Sequence, residues 1–296
     1  MLKHIKNLDI VITRSCQLDC DGCLVFSNHN AIKGHTLVEN SITWLEFWFS
    51  RLRPEVVHLF GGEPLMNPQF VDWVHVVNTF LIKQRKYKGL NVQTNGIKLA
   101  SLGQDLLDHL VNEEKVHFNI SVHNQLPWYQ AAIKSAVEML EISFDGHWQQ
   151  LTESEKIYRD GQNDKWFSVT DFTNTKNRQW VNHYNGYAET LMPGRNFDDE
   201  FYVKSHSYCE AKEYIQLYEG NLYKCPTLAV LGQTLNALGN PNSKDWEPWL
   251  QYKFLPVNCD PEQLDEWLAT QCMPEKYCNM CFGEPKKITI HSLKSK

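Results

Sequence analysis

The chain holds nine cysteines in 296 residues, yet none lies between Cys23 and Cys209. A secreted disulfide scaffold would not leave its middle bare, and an odd number cannot all pair. Long apolar runs are missing too. The N-terminal apolar stretch, residues 8–12, is interrupted by Asp9, so it is too short and polar for a signal-peptide core. The expected setting is the reducing cytoplasm, with no membrane partner. Positive charge is in deficit, with 29 basic against 35 acidic residues and a formal net charge of −6. That balance argues against a protein that tracks a nucleic-acid backbone by bulk charge. The one dense basic run, residues 83–88, reads as a solvated helix end. There is no internal repeat and no low-complexity tract. What the chain does have is apolar material, 42% hydrophobic and 12% aromatic, enough to bury a core and exclude a disordered chain.

The first two thirds alternate between strand and helix patterns. Strands are predicted over residues 8–13, 56–60, 90–93, 116–122 and 166–171, and helices over 41–52, 70–81, 102–111 and 131–140. Pro54 reads as the stop after the first helix. This order implies an α/β fold of parallel strands joined by helices. In such folds functional groups gather at the C-terminal ends of the strands. Three motifs directly follow a predicted strand, namely the first cysteine group, Gly61-Gly62-Glu63 and Thr94-Asn95-Gly96. They should converge on one face. From about Tyr208 the character changes. Residues 214–225 read as a hairpin turning at Glu219-Gly220-Asn221, followed by long proline-punctuated loops.

Cys16, Cys20 and Cys23 have the spacing C-x3-C-x2-C. Three thiolates on one tight loop can hold three irons of a [4Fe–4S] cube and leave the fourth iron open. The alternative is a zinc knuckle, for which His29 and His35 offer a fourth ligand, or a set of buried thiols. Gly61-Gly62-Glu63-Pro64 offers backbone that a ligand can approach and a carboxylate that can meet an ammonium. Taken together, the two motifs resemble the radical S-adenosylmethionine (radical SAM) superfamily. The resemblance implies that Cys16, Cys20 and Cys23 hold a catalytic [4Fe–4S] cluster and that Gly61, Gly62, Glu63 and Pro64 bind the methionine amino group of SAM. Thr94 and Asn95 match a common element after the third strand. Ser121 and His123 fall in the region that contacts ribose or the methionine carboxylate. Gly22 departs from the pattern, since many members carry an aromatic residue before the third cysteine. The implied chemistry is reductive cleavage of SAM to a 5′-deoxyadenosyl radical, fed by a one-electron donor such as flavodoxin or ferredoxin.

The later cysteines extend the resemblance. Cys209-x10-Gly220-x4-Cys225, followed by Cys278-x2-Cys281, is similar to the twitch and SPASM extensions that carry auxiliary [4Fe–4S] clusters. The seven-cysteine SPASM pattern fails here. A single auxiliary cluster on Cys209, Cys225, Cys278 and Cys281 fits better, with Cys272 as the rival ligand, Cys259 as a plain thiol, and zinc as the alternative metal. The implied architecture is a partial (β/α)6 radical SAM barrel over residues 1–205. A small irregular α+β twitch/SPASM-like cluster domain would follow over 206–296. The substrate is expected to be a polar small molecule or a nucleobase-linked group, oxidised, rearranged or epimerised. The aromatic, amide-rich stretch from Trp166 to Tyr187 suits such a ring. A ribosomal peptide is the alternative substrate. A non-catalytic zinc- or cluster-binding module is the remote one.

Overall fold

The computed structural model describes residues 2–20, 22–84, 89–161, 165–173, 184–186, 190–239 and 244–283. The elements run in chain order as β1 (Lys3–Thr13), α1 (Ile42–Phe49), β2 (Leu52–Gly61), α2 (Phe70–Lys83), β3 (Leu90–Thr94), α3 (Gln104–Asn112) and β4 (Val116–Val122). They continue with α4 (Pro127–Phe144), β5 (His147–Gln150), β6 (Glu155–Arg159), β7 (Trp166–Asp171), α5 (Tyr202–Ser207), β8 (Tyr214–Tyr218), β9 (Asn221–Tyr223), α6 (Pro226–Ala237), α7 (Glu247–Leu250) and α8 (Pro261–Ala269). Among the described residues, nine strands form one sheet in the order β5-β6-β7-β4-β3-β2-β1-β8-β9. The row from β7 to β8 is parallel throughout, and β5, β6 and β9 add antiparallel edges. This is a mixed α/β fold with a largely parallel sheet.

The side-chain pattern explains the layers. In α2 the buried positions are Phe70, Trp73, Val74, Val77, Asn78 and Leu81, the i, i+3, i+4 spacing of one helix face. That face packs on strand residues of the opposite parity, such as Leu8, Ile10, Ile12, Val57, Leu59 and Val92, in the main core. A second core lies around Val11, Val25, Phe26, Tyr184, Tyr218 and the apolar side of α6. Alternate positions on the strands therefore face away from the main helix layer, and five of them form a polar row. Gln216, Asp9, His58, Asn91 and His117 stand in register across β8, β1, β2, β3 and β4, and all are buried. Within this row His58 Nδ1 lies 2.9 Å from Asp9 Oδ1, and Gln216 Nε2 donates to Asp9 Oδ2 at 2.6 Å.

Three expectations change. Pro54 does not stop α1. The helix ends at Phe49, and Pro54 sits inside β2 opposite Ile5, in a parallel strand that begins at Leu52. The long loops expected after the hairpin are largely helical, because Pro226, Pro248 and Pro261 each start a helix, where a missing N–H costs nothing. Asp260 completes a capping box with Gln263 at the head of α8. The sixth parallel strand is β8, which lies beyond residue 205 and pairs with β1 through Asn7↔Tyr214 to Ile10↔Leu217. The expected second unit thus shares the sheet of the first. The basic run keeps its helix-end position at Lys83, while residues 85–88 lie outside the described residues.

Candidate functional site

Parallel pairing puts the ends of β1, β2, β3 and β4 at one edge of the sheet, and the N-terminal motifs meet there. Gly62 N–H donates to Thr13 O at 2.9 Å and Glu63 N–H donates to Ser15 O at 2.8 Å. These bonds clamp the turn after β2 onto the start of the cysteine loop. The two glycines are required by this contact. A Cβ on Gly61 would fall 2.1 Å from Thr13 O, and one on Gly62 2.3 Å from Ser15 O. The expectation that these glycines make room for a ligand is thus amended: the backbone they admit is that of residues 13–15. Gly22 has its own reason, a φ of +64° that favours glycine over an aromatic residue.

Glu63 is fully buried. Its Oε1 accepts from Thr94 Oγ1 at 2.8 Å and from Leu65 N at 3.1 Å, and its Oε2 accepts from Asn95 N at 2.7 Å. Burial pushes the carboxyl up to about 7, against the pull of these three donors. Asn95 links onward: its Oδ1 accepts from Gln17 Nε2 at 3.2 Å, and its Nδ2 is 3.8 Å from Cys16 Sγ. The Tyr129 hydroxyl joins two strand ends, bonding Asn95 O at 2.9 Å and Ser121 O at 3.1 Å and accepting from His123 N at 3.2 Å. The His123 ring stacks on Phe172, with centroids 5.2 Å apart. Cys16, Glu63, Thr94, Asn95, Ser121 and His123 are thereby linked through one short network, with Tyr129 as a member that the sequence reading missed.

Backbone N–H groups face two sulfurs of this loop. Leu18 N–H reaches Cys16 Sγ at 3.4 Å, and the backbone N–H groups of Val25, Ser27 and Asn28 serve Cys23. Such donors stabilise thiolates and cluster sulfur. Burial pushes the Cys23 thiol up, against the smaller pull of these donors and of the Arg14 guanidinium. The two histidines offered to a zinc knuckle are tied into the loop. His35 Nδ1 lies 2.9 Å from Thr13 Oγ1 and His29 Nδ1 lies 3.2 Å from Phe26 O. Phe26 itself takes a left-handed φ of 55° and stacks on Tyr184, with centroids 4.5 Å apart. Tyr184 Oη in turn donates to Cys23 O at 3.1 Å.

The second cysteine set also comes together. Cys209, Cys225, Cys278 and Cys281 line one cavity of about 60 Å³, along with Lys212, Lys224 and Glu275. Burial pushes Cys225 up to about 12 and Cys278 up to about 11, and it raises Cys209 and Cys281. The raised values describe neutral thiols that only a strong positive group would ionise. Cys225 caps α6, and the N–H groups of Thr227 and Leu228 serve its sulfur. Cys272 is placed elsewhere. It is exposed, with its thiol donating to Lys212 O at 3.4 Å, although its neighbours Gln271 and Met273 do line the cavity. Cys259 is buried in the main core.

Among the described residues, no three Cys, His, Asp or Glu side chains are gathered tightly enough to hold a single metal ion. Tetrahedral zinc, with Zn–S near 2.3 Å, would draw its sulfurs to within about 3.8 Å of one another. Sulfurs ranged around a cavity fit a larger group, in which each thiolate takes a separate iron. The sulfurs of Cys209, Cys225, Cys278 and Cys281 are ranged in that way. The described aromatics of the stretch after Trp166 divide between the site, where Phe172 and Tyr184 lie, and the core. Trp166 stacks on His117 at the opposite end of the strands, and Phe167 packs against Phe144, Trp148 and Tyr158. Residues 174–183 and 187 of that stretch lie outside the described residues.

In fold the chain is similar to BtrN, solved in complex with AdoMet and 2-DOIA. The TM-score is 0.52 and the identity 14%, over 97% of this chain and 99% of that one. It is also similar to anSMEcpe with bound AdoMet and the Cp18Cys peptide, at TM-score 0.37 and 16% identity over 47% of this chain. That match spans two fifths of anSMEcpe, or 40% of its length. No protein-family model matches the sequence, and no curated protein matches it. No described helix is long and apolar enough to cross a membrane.

Proposed function

We propose that the chain is a radical SAM enzyme acting on a polar small molecule, with the active site at the joined ends of β1, β2, β3 and β4. When bound, a [4Fe–4S] cluster and SAM supply a 5′-deoxyadenosyl radical that takes a hydrogen atom from the substrate. The single observation that carries this reading is the network from the cysteine loop through Asn95 to Glu63, Thr94 and Tyr129. The network links Cys16, the first of the three loop cysteines, to a buried carboxylate. Cys16, Cys20 and Cys23 hold the cluster. Glu63, oriented by Thr94, Asn95 and Leu65, and the turn at Gly61-Gly62-Pro64 face the methionine ammonium. Ser121 and His123, positioned by Tyr129, serve the ribose or carboxylate end.

Residues 1–205 form the partial (β/α)6 barrel of this reading, completed by β8, and 206–296 form a twitch-like unit. Cys209, Cys225, Cys278 and Cys281 hold an auxiliary [4Fe–4S] cluster there. An external one-electron donor such as flavodoxin or ferredoxin feeds the site. The buried row Gln216, Asp9, His58, Asn91 and His117 gives the strand face a polar floor, which favours a substrate rich in hydroxyl or amino groups. Oxidation, rearrangement and epimerisation are the outcomes open to its radical.

The test is anaerobic reconstitution followed by dithionite reduction with SAM. The expected protein is brown, with about eight irons per chain, and forms 5′-deoxyadenosine. Deuterated aminocyclitols, nucleosides and peptides then identify the substrate class by transfer of deuterium into that product. Unaltered SAM cleavage after substitution of Cys16, Cys20 and Cys23 would sink the mechanism.

A further inference from the structure

Arg14 precedes the cysteine loop and is buried, at 4% exposure. Its Nη2 donates to Val25 O at 3.2 Å and Thr234 Oγ1 at 2.8 Å, and its Nη1 to Gln233 Oε1 at 3.3 Å. These acceptors are neutral, as is the Tyr218 hydroxyl that also bonds the guanidinium. Its Nε is buried without a hydrogen-bond partner. Among the described residues no carboxylate comes within ion-pair distance of it. The nearest acid in that region, Glu219, is engaged by Gln233 Nε2 at 2.8 Å. A buried cation with only neutral partners is costly, and proteins pair such charges. The guanidinium donates to Val25 O, two residues beyond Cys23, and so lies against the cysteine loop from within.

We infer that Arg14 is the fixed counter-charge of the cysteine loop and sets the reduction potential of the cluster held there. The inference rests on the radical SAM reading above. Three thiolates around a core of charge 2+ leave about one net negative charge, which Arg14 balances. Reduction takes one electron from the external donor and leaves the site with one more negative charge. A fixed positive charge in a dry setting favours that reduced state. Arg14 is a positioning residue in this role and touches no reacting atom. Its second anchor gives it a selective reach. Thr234 lies on α6 nine residues beyond Cys225, about 13 Å along the helix at 1.5 Å per residue. The guanidinium therefore acts on the N-terminal cluster and much more weakly on the distant one.

The experiment is a potentiometric EPR titration of the full reconstituted chain. The N-terminal signal is recognised by its change on adding SAM. Arg14→Gln should move the midpoint of that signal to more negative potential, with the SAM-insensitive signal in place. Arg14→Lys, which keeps the charge, should bring the midpoint back towards that of the wild type. Equal midpoints for wild type and Arg14→Gln would overturn the inference, as would equal shifts in the Gln and Lys variants or a joint shift of both signals. Should Arg14→Gln fail to load its N-terminal cluster, iron counting decides. Loss of about half the iron in Gln, with full iron in Lys, supports a charge requirement; equal loss in both refutes it. A wild type with no SAM-responsive cluster would instead defeat the functional reading itself.

Discussion

Gly62→Ala is the sharpest probe of the clamp between β2 and the cysteine loop. The new Cβ would lie 2.3 Å from Ser15 O, 2.7 Å from Ser15 C and 2.9 Å from Ser27 Oγ. Two of these atoms are backbone, so no side-chain rotation relieves the clash. The loop must retreat by about 1 Å to restore ordinary contact, and overpacking of this kind costs about 1–3 kcal/mol. The retreat also breaks the bond from Glu63 N–H to Ser15 O, now 2.8 Å long, at about 1 kcal/mol more. The expected loss is about 2–4 kcal/mol in all. Ser15 is the residue before Cys16, so the displacement passes directly to the first ligand. The substituted protein should load iron only at its C-terminal cysteines and lose SAM cleavage. Iron per chain, with urea unfolding midpoints, measures both effects. Full iron and an unshifted midpoint would show that the loop does not depend on this contact.

Glu63 gives a pH dependence with a defined sign. Its folded value, about 7, lies above the ordinary 4.5, so the folded state holds its proton longer than the unfolded chain does. Its stabilising effect is complete below about pH 4.5 and declines as pH rises to about 7, by about 3 kcal/mol at most. Unfolding midpoints of the apo-protein across that window should slope downward in the wild type and flatten in Glu63→Gln; parallel slopes would refute the assignment. Tyr129→Phe strips the hydroxyl shared by Asn95, Ser121 and His123 and should cost about 1–3 kcal/mol, read by thermal or urea melts. Cys225→Ser should remove about half the iron, while Cys272→Ser should leave the iron content unchanged, because only the first lines the cavity.

The strands were legible because their patterns were clean. Residues 116–122 and 166–171 are strands to the residue, and α2 follows from its apolar spacing. The hairpin at Glu219-Gly220 was equally plain, with φ values of 48° and 80° suited to a tight turn. The N-terminal motifs could be placed because parallel topology forces strand ends together. What escaped was set by tertiary context. Pro54 looked like a stop because proline reads locally, while its place in β2 depends on pairing with Ile5. Tyr129 carried no signal, since a tyrosine in an amphipathic helix is ordinary until its hydroxyl finds three backbone partners. The polar row across the strands was invisible because each member comes from a different strand. Cys272 could not be separated from the true cavity residues by spacing, as Gln271 and Met273 beside it both reach the cavity.

The pairing of β8 with β1 has a consequence for how the chain is made. β1 leaves the ribosome about two hundred residues before β8 does. Until then β1, with Leu8, Ile10 and Ile12 on one side, stands as a bare sheet edge that can recruit other chains. Loop closure over so long a separation is slow. The cysteine loop at the end of β1 is thus finished late, once α6 arrives to receive Arg14. A chain cut at residue 205 would keep all three N-terminal cysteines and still expose that edge. Aggregation, rather than a smaller working barrel, is the fate this topology sets for it.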